Sequence, residues 1–400
     1  MYVERSIHRE FLSASKLTNI VAIVGPRQAG KTTFLKEQHG AAGYLLFDDP
    51  DIREMFDEDV KKFESQYLKG NAPVVLDEVQ NGKDAGRKLK YLADTGKRLW
   101  VTSSSQTMLG KDVLGWLVGR VSVLTLYPFS FAEFLTAKGQ RQLTPSIASR
   151  LMEEHMLYGG YPKVVLEGDA QNKEMLLKDL YKTMVLRDVA RTFSINDADA
   201  IERLAVYLSH STGSAVVYNN ICRDLGLSFQ SVKKYLDAME KSYIIARAMP
   251  FYKNRFKEIT KQPKIYFLDT GLRNAVANDF VIGAESAGKL FENYLFSELL
   301  KSGFDVKFWQ SKSRAEVDFI IRKGPEIIPI EVKLKAEGQH VERSLHSFIE
   351  SYKPKRAFVV FKSGDMASKS VGRCTVNFTD PTGLLKALGG TKRHSTSRLS

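Results

Sequence analysis

A glycine-rich segment, GPRQAGKT at residues 25–32, has the spacing G-x-x-x-x-G-K-T of a phosphate-binding loop. Gly25 and Gly30 allow backbone N–H groups to curl around a phosphate, and the positive end of the following helix adds attraction. Lys31 would reach the β- and γ-phosphates of ATP, and Thr32 would offer its hydroxyl to Mg²⁺. The other residues expected to line the nucleotide are Pro26, Arg27, Gln28, Ala29 and Thr33.

Two acids at the end of a second apolar run would complete this chemistry. VVLDEVQ (74–80) predicts a buried strand that ends in Asp77 and Glu78. Asp77 would hold the magnesium shell, and Glu78 would polarise the attacking water. Acids are common at strand ends, so this pattern gains its weight from the glycine loop that precedes it.

Two further segments complete the candidate site. LWVTSSS (99–105) predicts the next strand, whose end would bring Thr102 or Ser103 near the γ-phosphate. Arg120, in VGRV, would lie where an arginine finger could act on the nucleotide of a neighbouring subunit. The alternative for Arg120 is an ordinary surface arginine.

The elements that must position these residues alternate along the chain. IVAIV (20–24) ends at the glycine loop, and the further apolar runs lie at 44–47, 73–76, 99–102 and 121–126. Helical segments separate them, which predicts a parallel sheet with helices on both faces. Residues 138–205 are mostly helical by periodicity.

The region from about residue 206 predicts a helix–turn–helix followed by a hairpin, the layout of a winged helix. Gly226 would make the turn and Ser228 would cap the second helix. Residues 231–265 hold nine basic and three acidic side chains. They suit phosphate contacts with DNA, although winged helices also serve as protein-interaction modules. The basic residues are Lys233, Lys234, Lys241, Arg247, Lys253, Arg255, Lys257, Lys261 and Lys264, with Tyr252 and Phe256 between them.

A second candidate site lies near the C-terminus. EVDFII and IPIEVK predict two adjacent strands that carry Asp318, Glu331 and Lys333, and Glu292 on the preceding helix is the natural third acid. Such a set can bind Mg²⁺ and activate water for phosphodiester cleavage. The arrangement resembles the PD-(D/E)XK nuclease fold. Two alternatives remain open: a structural hairpin, and a nuclease fold kept only as a scaffold.

The whole pattern resembles archaeal and bacterial AAA-type ATPases in which a P-loop domain precedes a nuclease-like C-terminal region. This resemblance implies ATP and Mg²⁺ as cofactors, and an assembly in which Arg120 serves a neighbour. Where the family usually has Thr-Gly-Ser-Ser, this chain has serine at position 103, which bears on the sensor role of that strand. The matching motifs are GPRQAGKTT, VVLDEVQ, VTSSS, LVGRVSVLTLYPFSFAEFL, YGGYP, LRDVAR, IYFLDTGL, AEVDFII and IPIEVK.

Composition sets the limits within which these sites operate. The 400 residues are 43% hydrophobic and 26% charged, which excludes wholesale disorder and a collagen-like fibre. The net charge of +13 favours a polyanionic partner. No apolar run is long enough to span a membrane, and two distant cysteines with seven scattered histidines form no metal-binding motif. A cytoplasmic location is expected.

The predicted fold class is α/β: a P-loop NTPase sheet of the AAA type with a helical lid, a winged helix and a restriction-endonuclease-like domain. A DNA-associated, Mg²⁺-dependent ATPase acting as a motor or switch, in a homo-oligomer, is the first hypothesis. A DNA nuclease gated by ATP and a signalling ATPase with a protein-binding arm are the rivals. The expected boundaries are 1–137 (ATPase core), 138–205 (lid), 206–280 (winged helix), 285–385 (nuclease-like domain) and 386–400 (disordered basic tail).

Overall fold

A computed structural model describes most of the chain, which divides into two compact units. The first unit comprises residues 1–139, 161–166 and 241–243, and the second comprises residues 140–160, 167–240 and 244–400. Ser105, most of the predicted wing loop (Lys253, Arg255, Phe256, Lys257) and the tail from residue 390 lie outside the described residues. The described residues are 2–38, 40–41, 43–104, 114–140, 144–190, 193, 195, 197–252, 261–311, 315–335 and 338–389.

The first unit contains a five-stranded parallel sheet with the strand order β2-β3-β4-β1-β5. The strands are β1 (Ile20–Val24), β2 (Gly43–Leu46), β3 (Val74–Asp77), β4 (Leu99–Ser103) and β5 (Val121–Thr125). The helices are α1 (His8–Leu17), α2 (Lys31–Lys36), α3 (Pro50–Glu58), α4 (Val60–Tyr67), α5 (Ala85–Asp94), α6 (Phe131–Ala137) and α8 (Pro162–Leu166). Short 3₁₀ turns occupy Val79–Asn81 and Leu114–Trp116. The predicted parallel α/β sheet is confirmed.

Apolar side chains on both faces explain why β1 lies inside this sheet. Every residue of IVAIV is buried, as expected for a central parallel strand covered by helices. Phe11 of α1 contacts Phe34 of α2 and Trp100 of β4 edge to face, with ring centroids 5.1 and 4.9 Å apart. The loop after β1 therefore starts from a rigid base at the carboxyl edge of the sheet, where α/β proteins bind ligands.

The second unit begins with helices, in line with the predicted helical region. They are α7 (Pro145–Tyr158), α9 (Ala170–Tyr181), a π-helical continuation (Lys182–Val189), α10 (Ala198–His210), α11 (Tyr218–Leu225), α12 (Phe229–Lys241), α13 (Thr270–Ala277), α14 (Ala287–Lys301), α15 (Arg343–Tyr352) and α16 (Pro381–Ala387). Gly226 ends α11 at φ +66°, and the Ser228 hydroxyl accepts a hydrogen bond from the Ser231 N–H at 3.0 Å, as predicted.

Residues 158–160, the first part of the YGGYP motif, pack against the IYFLDTGL motif (265–272) in this unit. The buried Asp269 carboxylate accepts hydrogen bonds from the N–H groups of Gly160 and Leu272, at 2.8 and 3.0 Å. A Cβ on Gly159 would lie 1.9 Å from Asp269, and one on Gly271 would lie 2.3 Å from the Tyr158 backbone. The two motifs thus form a close backbone contact that only glycine permits.

An eight-stranded mixed sheet, ordered β12-β13-β11-β10-β9-β8-β6-β7, completes the second unit. The strands β6 (Ile245–Pro250) and β7 (Lys264–Phe267) pair antiparallel, as the predicted hairpin requires. β6 also pairs in parallel with β8, so the hairpin belongs to the same sheet as the C-terminal strands. The winged-helix and nuclease-like folds stay predictions. The remaining strands are β8 (Lys307–Gln310), β9 (Glu316–Lys323), β10 (Glu326–Lys335), β11 (Arg356–Ser363), β12 (Ala367–Val371) and β13 (Cys374–Thr379).

Candidate functional site

The loop between β1 and α2 adopts a conformation that requires its glycines. Gly25 has φ +148°, and a Cβ there would lie 2.1 Å from the carbonyl oxygen of Leu126. Gly30 has φ +96° directly before α2. Pro26 and Ala29 are buried, and the side chains of Arg27, Gln28 and Thr33 are exposed. The loop backbone is therefore held against the sheet while its polar side chains face solvent.

Lys31 is buried beneath this loop, with only 6% of its surface exposed. Its Nζ donates to the carbonyl oxygens of Gly25 and Pro26, both at 2.9 Å. Burial lowers the pKa of Lys31 to about 8, and the carboxylates of Glu78 and Asp77 offset only part of that effect. An anion bound in the loop would supply the countercharge that these neutral carbonyls lack.

The Asp77 carboxylate, at the end of β3, accepts hydrogen bonds from three hydroxyl groups. Thr32 Oγ1 donates to Oδ2 at 2.7 Å, and Tyr44 donates to the same oxygen. Thr102 donates to Oδ1. Burial, followed by the hydrogen bond to Asp77, raises the pKa of Tyr44 well above its ordinary range. These three donors are neutral, so they orient the carboxylate without cancelling its charge.

Glu78 has a left-handed backbone conformation, with φ 56° and ψ 41°. This conformation costs a non-glycine residue of order 1–3 kcal/mol and occurs often at functional sites. The Glu78 N–H donates to Thr102 Oγ1 at 2.9 Å. Its carboxylate accepts from Gln80 Nε2 and, at 3.2 Å, from the Ser104 hydroxyl. The strand end therefore holds both predicted acids, Asp77 and Glu78, in defined orientations.

Thr102 and Ser103, at the end of β4, are both fully buried. The Thr102 hydroxyl donates to Asp77 and accepts from the Glu78 N–H, so it supports the two acids. The expected place of Thr102 or Ser103 near a γ-phosphate stays a prediction. The Ser104 hydroxyl donates to the Glu78 carboxylate. Strand β4 places alternate side chains on opposite faces, which the apolar run alone did not decide.

Arg5, near the N-terminus, also contacts the phosphate loop. Its guanidinium is 5% exposed and donates to the Ala29 carbonyl oxygen at 2.8 Å. Arg5 Nε pairs with Glu133 Oε1 of α6 at 3.2 Å, and Nη2 donates to the Tyr127 carbonyl oxygen at 2.5 Å. Glu133 also accepts from the N–H groups of Ser6 and Ser130, at 2.7 and 2.9 Å. A buried charge pair thus joins the N-terminal segment, the loop and α6.

Arg120 lies at the amino ends of the strands, whereas the phosphate loop of the same chain lies at their carboxyl ends. It precedes β5, whose Val121 is paired with Ile20 at the start of β1, whereas the loop follows the end of β1. The five residues of β1 place these two ends of the strand about 16 Å apart. The Arg120 guanidinium is partly exposed and pairs with Asp94 at 2.5 Å. Its action on a neighbouring subunit stays a prediction.

The residues of the first unit fit a magnesium nucleotide. The loop conformation set by Gly25 and Gly30 and the buried Lys31 suit phosphates. The Thr32 hydroxyl and the Asp77 carboxylate are oxygen ligands of the kind that Mg²⁺ prefers. Glu78 lies beside them at the end of β3 and is held by hydrogen bonds. This set would bind a nucleotide triphosphate and activate water next to its terminal phosphate.

The predicted C-terminal acids gather on the second sheet. The pairing of β9 with β10 ends at Phe319 and Ile330, and Asp318 comes directly before Phe319 whereas Glu331 comes directly after Ile330. Burial, then the charges of Glu331 and Glu292, raises the pKa of Asp318 well above its ordinary range. Burial raises the pKa of Glu331 to about 7, against the opposing effect of Lys333. The structure therefore brings Asp318 and Glu331 together in a poorly solvated place.

Two lysines already act as counterions in this cluster. Lys333 Nζ lies 3.2 Å from Glu331 and 3.3 Å from Glu342. Lys264, which was expected to contact DNA from the wing, is instead 4% exposed, ion-paired with Glu316 and 3.6 Å from Glu292. This corrects the prediction for Lys264, because its strand β7 is buried along its whole length although it is the edge strand of the sheet.

The cluster fits a metal ion only in part. Glu331 Oε2 is buried and has no hydrogen-bond partner among the described residues, which suits a cation between Glu331 and Asp318. The third predicted acid, Glu292, accepts from the Tyr266 hydroxyl at 2.5 Å and faces Lys264. Over the described part of the chain, no group of three or more His, Cys, Asp or Glu residues is arranged to hold a metal ion.

The basic residues of 231–265 differ in exposure. Lys233, Lys234, Lys241 and Lys261 are exposed. Arg247 is partly buried and pairs with Asp237 at 2.6 Å and with Glu240 at 2.9 Å. The surface that could meet a polyanion is therefore smaller than the sequence count predicts, because Arg247 and Lys264 neutralise acids of the chain itself.

Three family matches cover the chain in order. Residues 17–135 match the family described as "AAA domain", which supports a P-loop ATPase family for this part. Residues 149–281 and 287–378 match two families described as domains of unknown function, DUF8612 and DUF4143. An uncharacterized protein of Haemophilus influenzae is 28% identical over 88% of this chain and 92% of its own length. One of Methanocaldococcus jannaschii is 26% identical over 84% and 79%.

Similar solved structures include the Walker-type ATPase of Pyrococcus abyssi, with TM-score 0.46 and 14% identity, covering 69% of this chain and 96% of that one. The ORC2 protein of Aeropyrum pernix has TM-score 0.40 and 11% identity, covering 70% and 95%. Similarities at these TM-scores are too weak to support a functional argument. No helix in the described part of the chain is both long and apolar enough to cross a membrane.

Three residues of these sites were not predicted from the sequence, and a fourth was predicted to have another role. Arg5, Tyr44 and Gln80 carry no motif that marks them, and Lys264 counted only as one of many basic residues. The alternation of β2 offered a weak signal for Tyr44, since strand periodicity decides which side chains share a face. Arg5 contacts residues more than 100 positions away, and spacing does not reveal such contacts.

Proposed function

We propose that this protein is a Mg²⁺-dependent ATP hydrolase whose first unit binds the nucleotide at residues 25–32. The observation that carries the proposal is the 2.7 Å hydrogen bond from Thr32 to Asp77. It joins the helix of the phosphate loop to the acidic strand end, the two parts between which a P-loop site holds magnesium. The similarity of residues 17–135 to the AAA domain supports the same chemistry.

Each residue then has a separate task. Lys31 and the loop backbone bind the β- and γ-phosphates, and Thr32 with Asp77 would hold Mg²⁺, which neutralises phosphate charge when bound. Glu78 takes up or orients the proton of the attacking water, while Gln80 and Ser104 fix its carboxylate. Arg5 keeps the loop in place through Ala29.

Glu78→Gln tests this assignment. The variant should bind ATP with Mg²⁺ as tightly as the wild type, but hydrolyse it at least about 100-fold more slowly, because a general base contributes about 10²–10⁴ to a rate. Binding is measured with a fluorescent nucleotide and hydrolysis by phosphate release. Glu58→Gln, an exposed glutamate of the same unit, is the matched control. Normal hydrolysis by Glu78→Gln would remove Glu78 from the mechanism.

We further propose that hydrolysis is coupled to DNA, as a motor or switch. The exposed residues Lys233, Lys234, Lys241 and Lys261 and the net charge of +13 support a polyanionic partner. ATPase rates with duplex, single-stranded and branched DNA test the coupling, and Lys233→Glu with Lys234→Glu should weaken any stimulation. Indifference to every DNA would favour the rival function, a signalling ATPase with a protein-binding arm.

A second candidate activity is metal-dependent DNA cleavage in the second unit. The buried Glu331 Oε2 without a partner in the described structure favours it, and Lys333 lies 3.2 Å from the same carboxylate. Mn²⁺ should raise the melting temperature of the full chain, and Asp318→Asn should cancel that rise. The full chain is needed, because a fragment that starts at residue 285 lacks β6 and β7 of the sheet. No rise and no DNA cleavage would leave the acids a structural role.

Self-assembly completes the proposed function, with Arg120 acting on the nucleotide of a neighbour. Arg120→Ala and Lys31→Ala subunits should each be inactive, and mixing them should restore part of the ATPase activity at shared interfaces. Mass measurement of the mixed assemblies checks that they form. If mixed assemblies remain inactive, Arg120 has only its structural pairing with Asp94.

A further inference from the structure

The Asp77 carboxylate is nearly saturated with hydrogen bonds from its own chain. A carboxylate has about four lone-pair positions. Thr32 and Tyr44 both donate to Oδ2, and Thr102 donates to Oδ1. A P-loop magnesium ion usually keeps several water molecules, which need acceptors at this carboxylate. Thr32, the expected magnesium ligand, contacts Oδ2, where both positions are taken, so a hydrated ion that approaches this oxygen must displace one of its two donors.

Tyr44 is the donor that can leave. Thr102 is fully buried and also accepts from the Glu78 N–H, so its position is fixed. Thr32 is itself the expected magnesium ligand and can keep its bond to Asp77. Tyr44 is only partly buried: its ring packs against the outside of the hydrophobic core of the first unit, and the Lys36 ammonium lies 4.2 Å from the ring centroid.

We propose that the Tyr44 hydroxyl is an internal competitor of Mg²⁺ for Asp77, so that it sets the magnesium requirement of the nucleotide site. In the ligand-free protein it occupies Asp77 Oδ2 and holds the carboxylate in place. Mg²⁺ binds with the nucleotide only by displacing this hydroxyl. The inference rests on the proposed ATP site and adds a positioning residue that tunes its metal dependence.

Tyr44→Phe removes the hydroxyl and keeps the ring over Lys36. Hydrogen bonds to charged groups are worth about 1.5–3 kcal/mol, and about 1.4 kcal/mol is tenfold in affinity. Because water replaces part of that interaction, we expect the Mg²⁺ concentration for half-maximal tightening of a fluorescent, non-hydrolysable ATP analogue to fall about three- to tenfold. Binding of the analogue in EDTA should stay within about twofold of wild type, because the loop itself is unchanged.

Tyr91→Phe, which removes a tyrosine hydroxyl near Glu64 in the same unit, is the matched control and should leave the magnesium requirement unchanged. A Tyr44→Phe variant with an unchanged or higher magnesium requirement, but normal binding in EDTA, overturns the inference and leaves the ATP site standing. A wild-type chain that binds no nucleotide with or without Mg²⁺ overturns the proposed function and this inference together.

Discussion

Two lysines of this protein are almost equally buried and yet have opposite surroundings. Lys31, in the phosphate loop, is 6% exposed, and Lys264, in the eight-stranded sheet, is 4% exposed. Lys31 donates to two backbone carbonyl oxygens, and burial lowers its pKa to about 8. Burial also acts to lower the pKa of Lys264, but Glu292 and Glu316 outweigh it and raise the pKa above the ordinary value.

The difference shows which buried charges already have a partner of opposite charge. A buried ammonium without a carboxylate partner is costly, and that cost is relieved when an anion binds. A buried ammonium with two carboxylates is already neutralised and gains nothing from a phosphate. The same contrast holds for the acids, since Asp77 accepts from neutral hydroxyls whereas Glu331 and Glu316 face lysines. Lys31 and Asp77 of the first unit thus contact neutral groups in the described structure, whereas Lys264, Glu316 and Glu331 of the second unit form ion pairs.

The largest expected effect separates the two lysines by function. Lys31→Met should lower ATP hydrolysis about 10²–10³-fold or more, the cost of one electrostatic contact to the reacting group. Lys264→Met should leave nucleotide affinity unchanged. Lys31→Met should also be at least as stable as the wild type, because it removes a buried charge whose desolvation the nearby Glu78 and Asp77 carboxylates offset only in part. Phosphate release, nucleotide binding and denaturant unfolding check the three statements.

The same lysine sets a pH dependence. The pKa of Lys31 is about 8 in the folded protein and near 10.5 unfolded, so between these values the unfolded chain binds one more proton. Wild-type stability should therefore rise with pH in that window, and Lys31→Met should lack this rise. Nucleotide affinity should fall above about pH 8, because phosphate binds the charged form. A flat affinity profile from pH 7 to 9.5 would contradict the assignment.

The contrast between the lysines also explains which parts of the structure could be predicted from the sequence. The strands of the first unit follow from local apolar runs, and the glycine loop follows from the spacing of its residues. The partners of Lys264 do not, because Glu316 and Glu292 lie 52 and 28 positions away and meet it only through sheet order. Tyr44 and Arg5 were missed for the same reason. Long-range packing decides which charged residue is a surface contact and which is a counterion.

A smaller effect should test the structural role of Lys264. Removing one partner of a buried ion pair leaves an uncompensated charge and costs about 3–5 kcal/mol. Lys264→Met should therefore lower the free energy of unfolding of the second unit by about that amount. Lys261→Met, an exposed lysine three residues earlier, is the control and should change it by less than about 0.5 kcal/mol. Equal, small effects of both substitutions would mean that Lys264 is not the counterion of the cluster.

The smallest expected effect, at Glu331, sharpens the comparison because it depends on pH. Burial raises the pKa of Glu331 from 4.5 to about 7, so between these values the folded protein binds the extra proton. The protonated Glu331 therefore contributes its full share of the free energy of unfolding below about pH 4.5, and this contribution is lost as pH rises through 7.

Glu331→Gln stays neutral, so at pH 8 it should be more stable than the wild type by up to about 3 kcal/mol, since one pKa unit is worth about 1.4 kcal/mol. At pH 5 the difference should fall below about 1 kcal/mol, and the exposed Glu350→Gln should show neither effect. A Glu331→Gln variant that is less stable at pH 8 would show that the Lys333 ion pair outweighs the cost of burial, and the cluster would then hold no unbalanced negative charge for a cation.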